Sequence, residues 1–192
     1  KLELLRYQLN PHFLFNSLNA ASNLALRGDG EQTSDLLAKL SRFLRFSLDN
    51  SPNEKSTLQN DLMVMQEYLE IEAIRFGQRL RVDWHIEAET QNILVPSFLV
   101  QPLIENVIKH ALVSSKETTV LTIQSMIRGS YLLLTVKDNG PLRSLEPLNS
   151  GQGIGIKNIK KRLGLFYDKN YELNMKINEP HGLIVEIKLP LG

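Results

Sequence analysis

The sequence predicts an α plus α/β protein, in which an N-terminal helical hairpin precedes an α/β sandwich with a mixed sheet. The first observation is that apolar residues recur at three- and four-residue steps up to Gly77, the spacing of amphipathic helices. The second is that this spacing changes to two after Gly77, which is typical of strands with one buried face. The third is that helical and strand patterns then interleave, with hairpins among the strands.

The first two helices each carry an apolar stripe, and Gly28-Asp29-Gly30 separates them. The stripes consist of Leu14, Leu18, Ala21 and Ala25 in the first helix and of Leu37, Leu40, Leu44 and Leu48 in the second. A single hairpin is too thin to bury both stripes. We therefore expect two copies of the chain to pair as a four-helix bundle, which would make the protein a homodimer.

The remaining elements follow from the same two periods. Asn50–Ser56 is rich in Asn, Ser and Pro, and we predict that it links a helical region of residues 1–56 to a second domain of residues 57–192. The elements predicted after the linker are helices at Leu58–Phe76, Pro96–Leu112 and Ile156–Phe166, and strands at Leu80–Ile86, Val120–Ile127, Tyr131–Lys137, Tyr171–Ile177 and Leu183–Leu189.

The composition excludes several classes of protein. The chain has 22 basic and 21 acidic residues, so its charge does not indicate nucleic acid or an anionic membrane as a partner. It has no cysteine, which excludes disulfides and thiolate metal sites and suits a reducing compartment. No apolar run approaches the roughly 20 residues of a membrane span. Because the chain begins at Lys1 inside a periodic pattern, we expect a fragment whose sensor or membrane segment lies upstream.

The segment Asn10–Asn16 contains a histidine that a plain helix would not require. Pro11 precedes His12, and a polar stripe runs through Gln8, His12, Asn16, Asn19 and Asn23. Asn is a poor helix former, and Pro in a helix interior costs roughly 3 kcal/mol, so this combination indicates a chemical role for His12. The alternative is that Pro11 opens a helix and His12 lies in its exposed first turn.

Two further groups of polar residues stand at the ends of predicted elements. Glu105, Asn106, Lys109 and His110 share a patch of one helix, where they could hold a metal-bound phosphate chain or form a solvated face. Asp138-Asn139-Gly140 follows a strand, where its carboxylate could accept a hydrogen bond from an amino group such as that of adenine. The alternative is a hairpin turn, although the residues after Gly140 do not alternate as a returning strand would.

A glycine-rich segment opens the last predicted helix. Gly151, Gly153 and Gly155 would let backbone N–H groups approach an anion at the helix N-terminus, and the alternative is a flexible linker. The segment is not the dinucleotide fingerprint, which needs Gly-x-Gly-x-x-Gly directly after a strand, and the chain has no P-loop motif.

These motifs, in this order, resemble the LytS-like family of bacterial sensor histidine kinases. The catalytic half of that family has the ATP-binding fold of the GHKL (Bergerat) type, which gyrase, the ninety-kilodalton heat-shock protein and mismatch-repair ATPases share. The resemblance covers essentially the whole chain. Its most specific segments are Gln8–Asn16, Gln101–His110 and Gly153–Asn158.

The resemblance implies ATP-dependent autophosphorylation on His12 and transfer of the phosphoryl group to the receiver domain of a response regulator. It implies ATP and Mg²⁺ as cofactors, and the cytoplasmic portion of a membrane sensor as the location. The matching site residues are Asn106 as Mg²⁺ ligand, Glu105 beside it, Lys109 and His110 toward the phosphates, Asp138 and Gly140 at adenine, and Gly151, Gly153 and Gly155 at the lid.

The chain departs from the family pattern at two positions. Leu142 stands where the family's Asp-x-Gly-x-Gly box has its second glycine, which puts affinity and activity in doubt and motivates an alternative function as a catalytically weak nucleotide-binding scaffold. Phe13 follows the histidine, where many other histidine kinases carry an acid. Asn16 or Gln8 is then expected to orient the His12 ring, and Glu105 is the candidate base. A heat-shock-like or gyrase-like ATPase is disfavoured because it would leave His12 unexplained.

Overall fold

The computed structural model describes residues 11–51, 53–114, 116–146 and 154–191, which form two compact units. The first unit consists of the described residues of Lys1–Ser51 together with Met63–Gly77. The second consists of those of Pro52–Leu62 and Gln78–Gly192. The predicted division into a domain of residues 1–56 and a domain of residues 57–192 stays a prediction. Among the described helices, none combines the length and apolarity that a membrane span would need.

Three helices supply the first unit: α1 (Pro11–Leu26), α2 (Gly30–Asp49) and the part of α3 (Leu58–Phe76) that follows Leu62. Gly28, with φ of 78°, takes the left-handed conformation that follows α1. Asp29 then caps α2 by accepting the backbone N–H of Gln32 at 3.1 Å. The Gly-Asp-Gly sequence therefore ends one helix and starts the next, as predicted.

Aromatic rings form the centre of the first unit. The ring centroids of Phe13 and Phe43 are 5.1 Å apart, and Tyr68 lies 4.6 Å from the first and 5.7 Å from the second. Around them, Arg42 pairs with Glu67 at 2.7 Å and Lys39 with Glu70 at 2.9 Å. The rings bury more apolar surface than leucines would, so they determine which face of each helix turns inward.

The two predicted leucine stripes lie mostly outside this aromatic core. Of their members, only Ala21 and Leu40 are buried, because the inward faces are those of Phe13, Ala21, Leu36, Leu40 and Phe43. Leu18, Leu37 and Leu48 remain 45%, 44% and 59% exposed in the single chain. The hairpin thus leaves an apolar face uncovered, in accordance with the argument that it cannot bury both stripes by itself.

The second unit contains the predicted mixed sheet. Its strands are β2 (Leu80–Ile86), β4 (Thr119–Arg128), β5 (Tyr131–Asp138), β6 (Glu172–Ile177) and β7 (Leu183–Pro190), in the order β2-β4-β5-β7-β6. Strand β2 pairs with β4 in parallel, and all other neighbours in the sheet are antiparallel. One face is apolar and buried, whereas the other carries ion pairs such as Lys176–Glu186 at 2.9 Å. This alternation is that of a two-layer sandwich.

The helices of the second unit are α4 (Gln101–Asn106), which continues as a π-helix over Val107–Leu112, and α5 (Ile154–Tyr167). The predicted start of α4 at Pro96 is wrong. Leu94–Pro96 instead forms strand β3, which pairs antiparallel with β1 (Lys55–Thr57). The predicted linker Asn50–Ser56 therefore includes two residues of β1, since a three-residue strand is too short to show a period of two.

Candidate active site

A pocket of about 290 Å³ lies in the second unit, between the sheet and the helices. Its apolar lining consists of Leu103, Val107, Ala111, Pro141, Leu142, Val136, Ile156, Leu183 and Val185. Its polar side chains are those of Asn106, His110, Ser114 and Asp138, and the backbone of Gly140 completes it. A largely apolar pocket with a few converging polar groups is the usual form of a site for a small organic ligand or cofactor.

Asp138 ends strand β5 and is turned toward the helices by the alternation that also buries Leu134 and Val136. Its Oδ1 accepts the backbone N–H of Gly140 at 2.7 Å. Burial raises the pKa of Asp138, and hydrogen bonds from the backbone of Gly140 and Leu183 oppose that rise. A buried carboxylate at a pocket wall is suited to accept a hydrogen bond from a ligand amino group.

The Asp-Asn-Gly segment is not a hairpin turn. Strand β5 pairs with β4 before it and with β7 on its other side, so the chain does not return as a strand after Gly140. The side chain of Asn139 instead fastens the segment to the start of β4, because it accepts from the N–H of Val120 at 2.7 Å and donates to the carbonyl of Thr118 at 3.1 Å. At Gly140 an added Cβ would lie 2.5 Å from the Cβ of Ala111, so only glycine fits.

Asn106 lies where α4 widens into the π-helix, a feature often found at functional sites. The first turn of α5 approaches its amide so closely that a Cβ on Gly155 would lie 2.8 Å from Asn106 Nδ2. The structure thus brings together two predicted motifs that are far apart in the sequence. Gly151 and Gly153 lie outside the described residues.

The other predicted residues of this helix differ in their relation to the pocket. His110 lines it, and burial and the neighbouring Lys109 charge lower the pKa of His110. Lys109 is exposed and does not line the pocket, since the wider π turns change which side chains share a face. Glu105 does not line it either; its carboxylate accepts from Gln101 Nε2 at 2.8 Å, and burial raises its pKa.

A metal ion at this site would have few protein ligands. Among the residues that the structure describes, no three His, Cys, Asp or Glu side chains are grouped as a metal cluster would require. The amide oxygen of Asn106 is a hard ligand at the pocket wall. That donor set suits Mg²⁺, which keeps several waters and takes further oxygens from substrate phosphates.

A buried ionic arrangement that the sequence analysis missed holds the loop before α4. Asp61 accepts the backbone N–H of Phe98 at 2.6 Å and that of Val100 at 3.0 Å, and burial raises the pKa of Asp61 to about 6. Arg162 of α5 donates to the carbonyls of Ser97, at 3.0 Å, and Phe98. Between these groups Phe98 keeps a left-handed φ of 60°. The feature of the sequence that could have indicated this arrangement is Asp61, a charged residue on the helix face that carries Leu58, Leu62 and Met65.

His12 belongs to the first unit and is exposed on α1. The amide nitrogen of Asn16 lies 3.1 Å from its Nδ1 and 3.4 Å from its Nε2, one helical turn away. This contact is compatible with the predicted role of Asn16 in orienting the ring, which stays a prediction, and Gln8 lies outside the described residues. The residues before Pro11, which decide whether Pro11 opens or bends the helix, also lie outside the described residues.

Leu142, the departure from the family pattern, is half-buried at the pocket wall. Among the described residues other than glycine, only Phe98 and Asp168 have positive φ, so the backbone at Leu142 does not need glycine. Its carbonyl accepts the N–H of Gly182 at 2.8 Å. Leucine therefore fits this position without backbone strain.

Comparison with known proteins agrees with these features. Residues 1–80 match the family model described as histidine kinase. The chain is 32% identical to the sensor protein LytS of Staphylococcus epidermidis, 34% to the sensor histidine kinase BtsS of Escherichia coli and 32% to the sensor histidine kinase YesM of Bacillus subtilis. Each of these alignments covers 99% of this chain but only 33–34% of the relative, so the chain spans about a third of their length.

Solved structures show the same fold. The chain superposes on the histidine kinase AdeS of Acinetobacter baumannii with a TM-score of 0.56 at 16% identity, covering 88% of this chain and 83% of that one. It superposes on the histidine kinase domain of the blue-light activated kinase of Erythrobacter litoralis with a TM-score of 0.54 at 18% identity, covering 88% and 80%. The predicted α/β sandwich of the GHKL type is confirmed. Over nearly its whole length, the chain is thus similar in sequence to sensor histidine kinases of the LytS-like family.

Proposed function

We propose that the chain is the cytoplasmic kinase portion of a sensor protein that uses ATP and Mg²⁺ to phosphorylate its own His12. The phosphoryl group would pass to the receiver domain of a response regulator, and contact with a membrane would come only through a segment upstream. One observation carries the proposal: Asn106, His110, Asp138, Gly140 and Gly155, which come from three separate motifs, converge in the second unit. The balanced charge gives no reason to add nucleic acid as a partner.

The adenine ring would occupy the apolar part of the pocket, where Asp138 would accept a hydrogen bond from its amino group. The apolar walls exclude water, which strengthens that hydrogen bond relative to one in solution. Gly140 permits close approach, since no side chain projects at that position. Recognition of this kind favours a base with an exocyclic donor over one with a carbonyl at the same place.

The phosphate chain would lie toward Asn106 and the start of α5. There Asn106 would hold Mg²⁺, which when bound neutralises phosphate charge during transfer. Gly155 lets the first turn of α5 come near, and a helix N-terminus favours anions. Lys109 and His110 remain candidates for phosphate contacts, together with Gly151 and Gly153 of the lid.

The reaction is attack by a ring nitrogen of His12 on the γ-phosphorus. A nitrogen–phosphorus bond forms while the bond between that phosphorus and the β,γ-bridging oxygen breaks, and its electron pair leaves with ADP. The ring loses its N–H proton to a base, for which we propose Glu105, whose raised pKa suits a proton acceptor. Asn16, whose amide nitrogen lies 3.1 Å from Nδ1 of His12, would orient the ring, so that positioning would supply much of the rate.

The proposal is tested by incubating the purified chain with Mg²⁺ and ATP labelled at either the γ- or the α-phosphate. We expect label on the protein from γ-labelled ATP only, and we expect it to move onto a receiver domain of the cognate regulator. Bound ATP without any transferred label would contradict the kinase function and favour the scaffold.

We propose that the exposed leucines of the hairpin form a homodimer interface. Leu18→Glu should convert a dimer into a monomer, because a carboxylate would replace an apolar side chain in that interface. Light scattering measures the mass, and Leu165→Glu is the matched control, since Leu165 is 66% exposed on α5 of the second unit. A dimer that persists in Leu18→Glu and dissociates in Leu165→Glu would place the interface in the second unit.

The scaffold alternative depends on Leu142, and its replacement by glycine separates the two functions. If the pocket has adapted to leucine, Leu142→Gly should weaken ATP binding about fivefold, because the loop gains freedom and the pocket loses an apolar contact. Calorimetry with ATP measures this change. Tighter binding, or binding that appears only in the variant, would mean that Leu142 blocks the pocket and would favour the scaffold.

A further inference from the structure

The turn between β6 and β7, Asn178–Gly182, contacts the loop Asp138–Leu142 along most of its length. Asn178 Nδ2 donates to the carbonyl of Asp138 at 2.7 Å, and the backbone N–H of Gly182 donates to the carbonyl of Leu142 at 2.8 Å. Between them, His181 Nδ1 lies 3.0 Å from the carbonyl oxygen of Asn139 and 2.9 Å from that of Gly140. Four carbonyl groups of the loop are therefore held by a single turn.

The His181 contact fixes the state of its ring. A carbonyl oxygen can only accept, so Nδ1 carries a hydrogen and donates it to both carbonyls. Gly182 makes this close approach possible: its φ is 115°, and a Cβ there would collide with the backbone of Asp138 and Asn139. Neither residue lies in a motif that the sequence analysis singled out.

We propose that the turn Asn178–Gly182 clamps the adenine-recognition loop and that His181 is a positioning residue for nucleotide binding. The inference rests on the proposed ATP site. With its carbonyls engaged by the turn, the loop directs the Asp138 carboxylate into the pocket and keeps Gly140 beside Ala111. The clamp also holds the carbonyl of Leu142, the residue at the position where the family pattern has its second glycine. The backbone of the loop is therefore held at this position by the turn Asn178–Gly182.

The test compares His181→Phe, which removes the donor, with His181→Asn, whose amide nitrogen can occupy the position of Nδ1. We expect His181→Phe to raise the dissociation constant for ATP about tenfold, the effect of losing a hydrogen-bond donor shared by two partly buried carbonyls. His181→Asn should restore binding to within about threefold of wild type. The autophosphorylation rate at saturating ATP should change less than twofold in both, because His181 does not contact the reacting atoms. His85→Phe, at an exposed histidine of β2, is the control.

A nitrogen-15 NMR spectrum of the unliganded chain gives an independent readout, in which the His181 ring should carry a hydrogen on Nδ1. Unchanged ATP binding in His181→Phe, or protonation at Nε2 alone, would overturn the inference. If His181→Phe fails to fold, the spectrum still decides. The Asp138→Asn variant distinguishes a failure of the proposed ATP site from a failure of the proposed role of His181. If Asp138→Asn binds ATP normally, the proposed site is wrong. If Asp138→Asn loses ATP binding and His181→Phe does not, only the role of His181 is wrong.

Discussion

Replacing Asp138 with asparagine is expected to weaken ATP binding strongly and leave the fold intact. The variant keeps the size of the side chain but offers one acceptor oxygen in place of two, and Gly140 N–H already occupies one oxygen of Asp138. A buried amino group left without an acceptor costs about 1–3 kcal/mol, which is roughly a 5- to 150-fold loss of affinity. Burial already disfavours the charged form of the Asp138 carboxylate, so replacing the carboxylate with a neutral amide should not destabilise the fold. The expected change is therefore in recognition of the nucleotide.

Calorimetry and thermal melting distinguish these effects. ATP should raise the melting temperature of the wild-type chain and have little effect on that of Asp138→Asn, since only a ligand that binds the folded state stabilises it. Asn106→Ala is the matched comparison at the same pocket: it should retain most nucleotide binding and lose Mg²⁺-dependent transfer. Unchanged ATP binding in Asp138→Asn would mean that the carboxylate serves the loop and not a ligand.

Replacing His12 with glutamine is expected to abolish phosphorylation completely and leave ATP binding unchanged. Glutamine has no nucleophilic nitrogen, and it remains a good helix former at an exposed position of α1. The bound nucleotide would be unaffected, because the pocket residues belong to the second unit and His12 to the first. The measurement is incorporation of label from γ-labelled ATP, with calorimetry on the same preparation.

Two control variants make the His12 result specific. His85→Gln removes another exposed histidine, and Asn19→Gln alters another exposed residue of α1, so both should be labelled normally. Label that persists in His12→Gln would assign the acceptor to a different residue. Loss of label together with loss of ATP binding would show that the substitution damages the fold.

The sequence predicted those elements whose pattern is local and long. Helix α3 and strand β2 occur at the predicted residues, because each shows a full run of one period. It did not predict the pairing of β1 with β3, since each strand has three residues and gains its stability from a distant partner. Nor did it predict the start of α4 at Gln101, because the preceding loop is shaped by Asp61 and Arg162, which are remote in sequence.

The site was predictable in its polar residues and less so in their surroundings. Asn106, Asp138 and Gly155 stand out as residues that a plain helix or strand would not need, and the fold brings them to one region. The apolar walls resemble any other core residues in the sequence, so nothing marked Val136 or Val185 as pocket lining. His181 was missed for a related reason: its partners are backbone carbonyls, which leave no trace in the sequence.

The central claim is that the acceptor of the γ-phosphoryl group is the imidazole of His12. It is tested most directly by mapping the phosphate on the wild-type chain after incubation with Mg²⁺ and ATP, using mass spectrometry under neutral conditions together with acid and base treatment. We predict a phosphoryl group on the peptide that contains His12, lost in acid and retained in base, as expected for a phosphorus–nitrogen bond. An acid-stable phosphate on a serine or threonine, or no phosphate on a chain that binds ATP, would contradict the account.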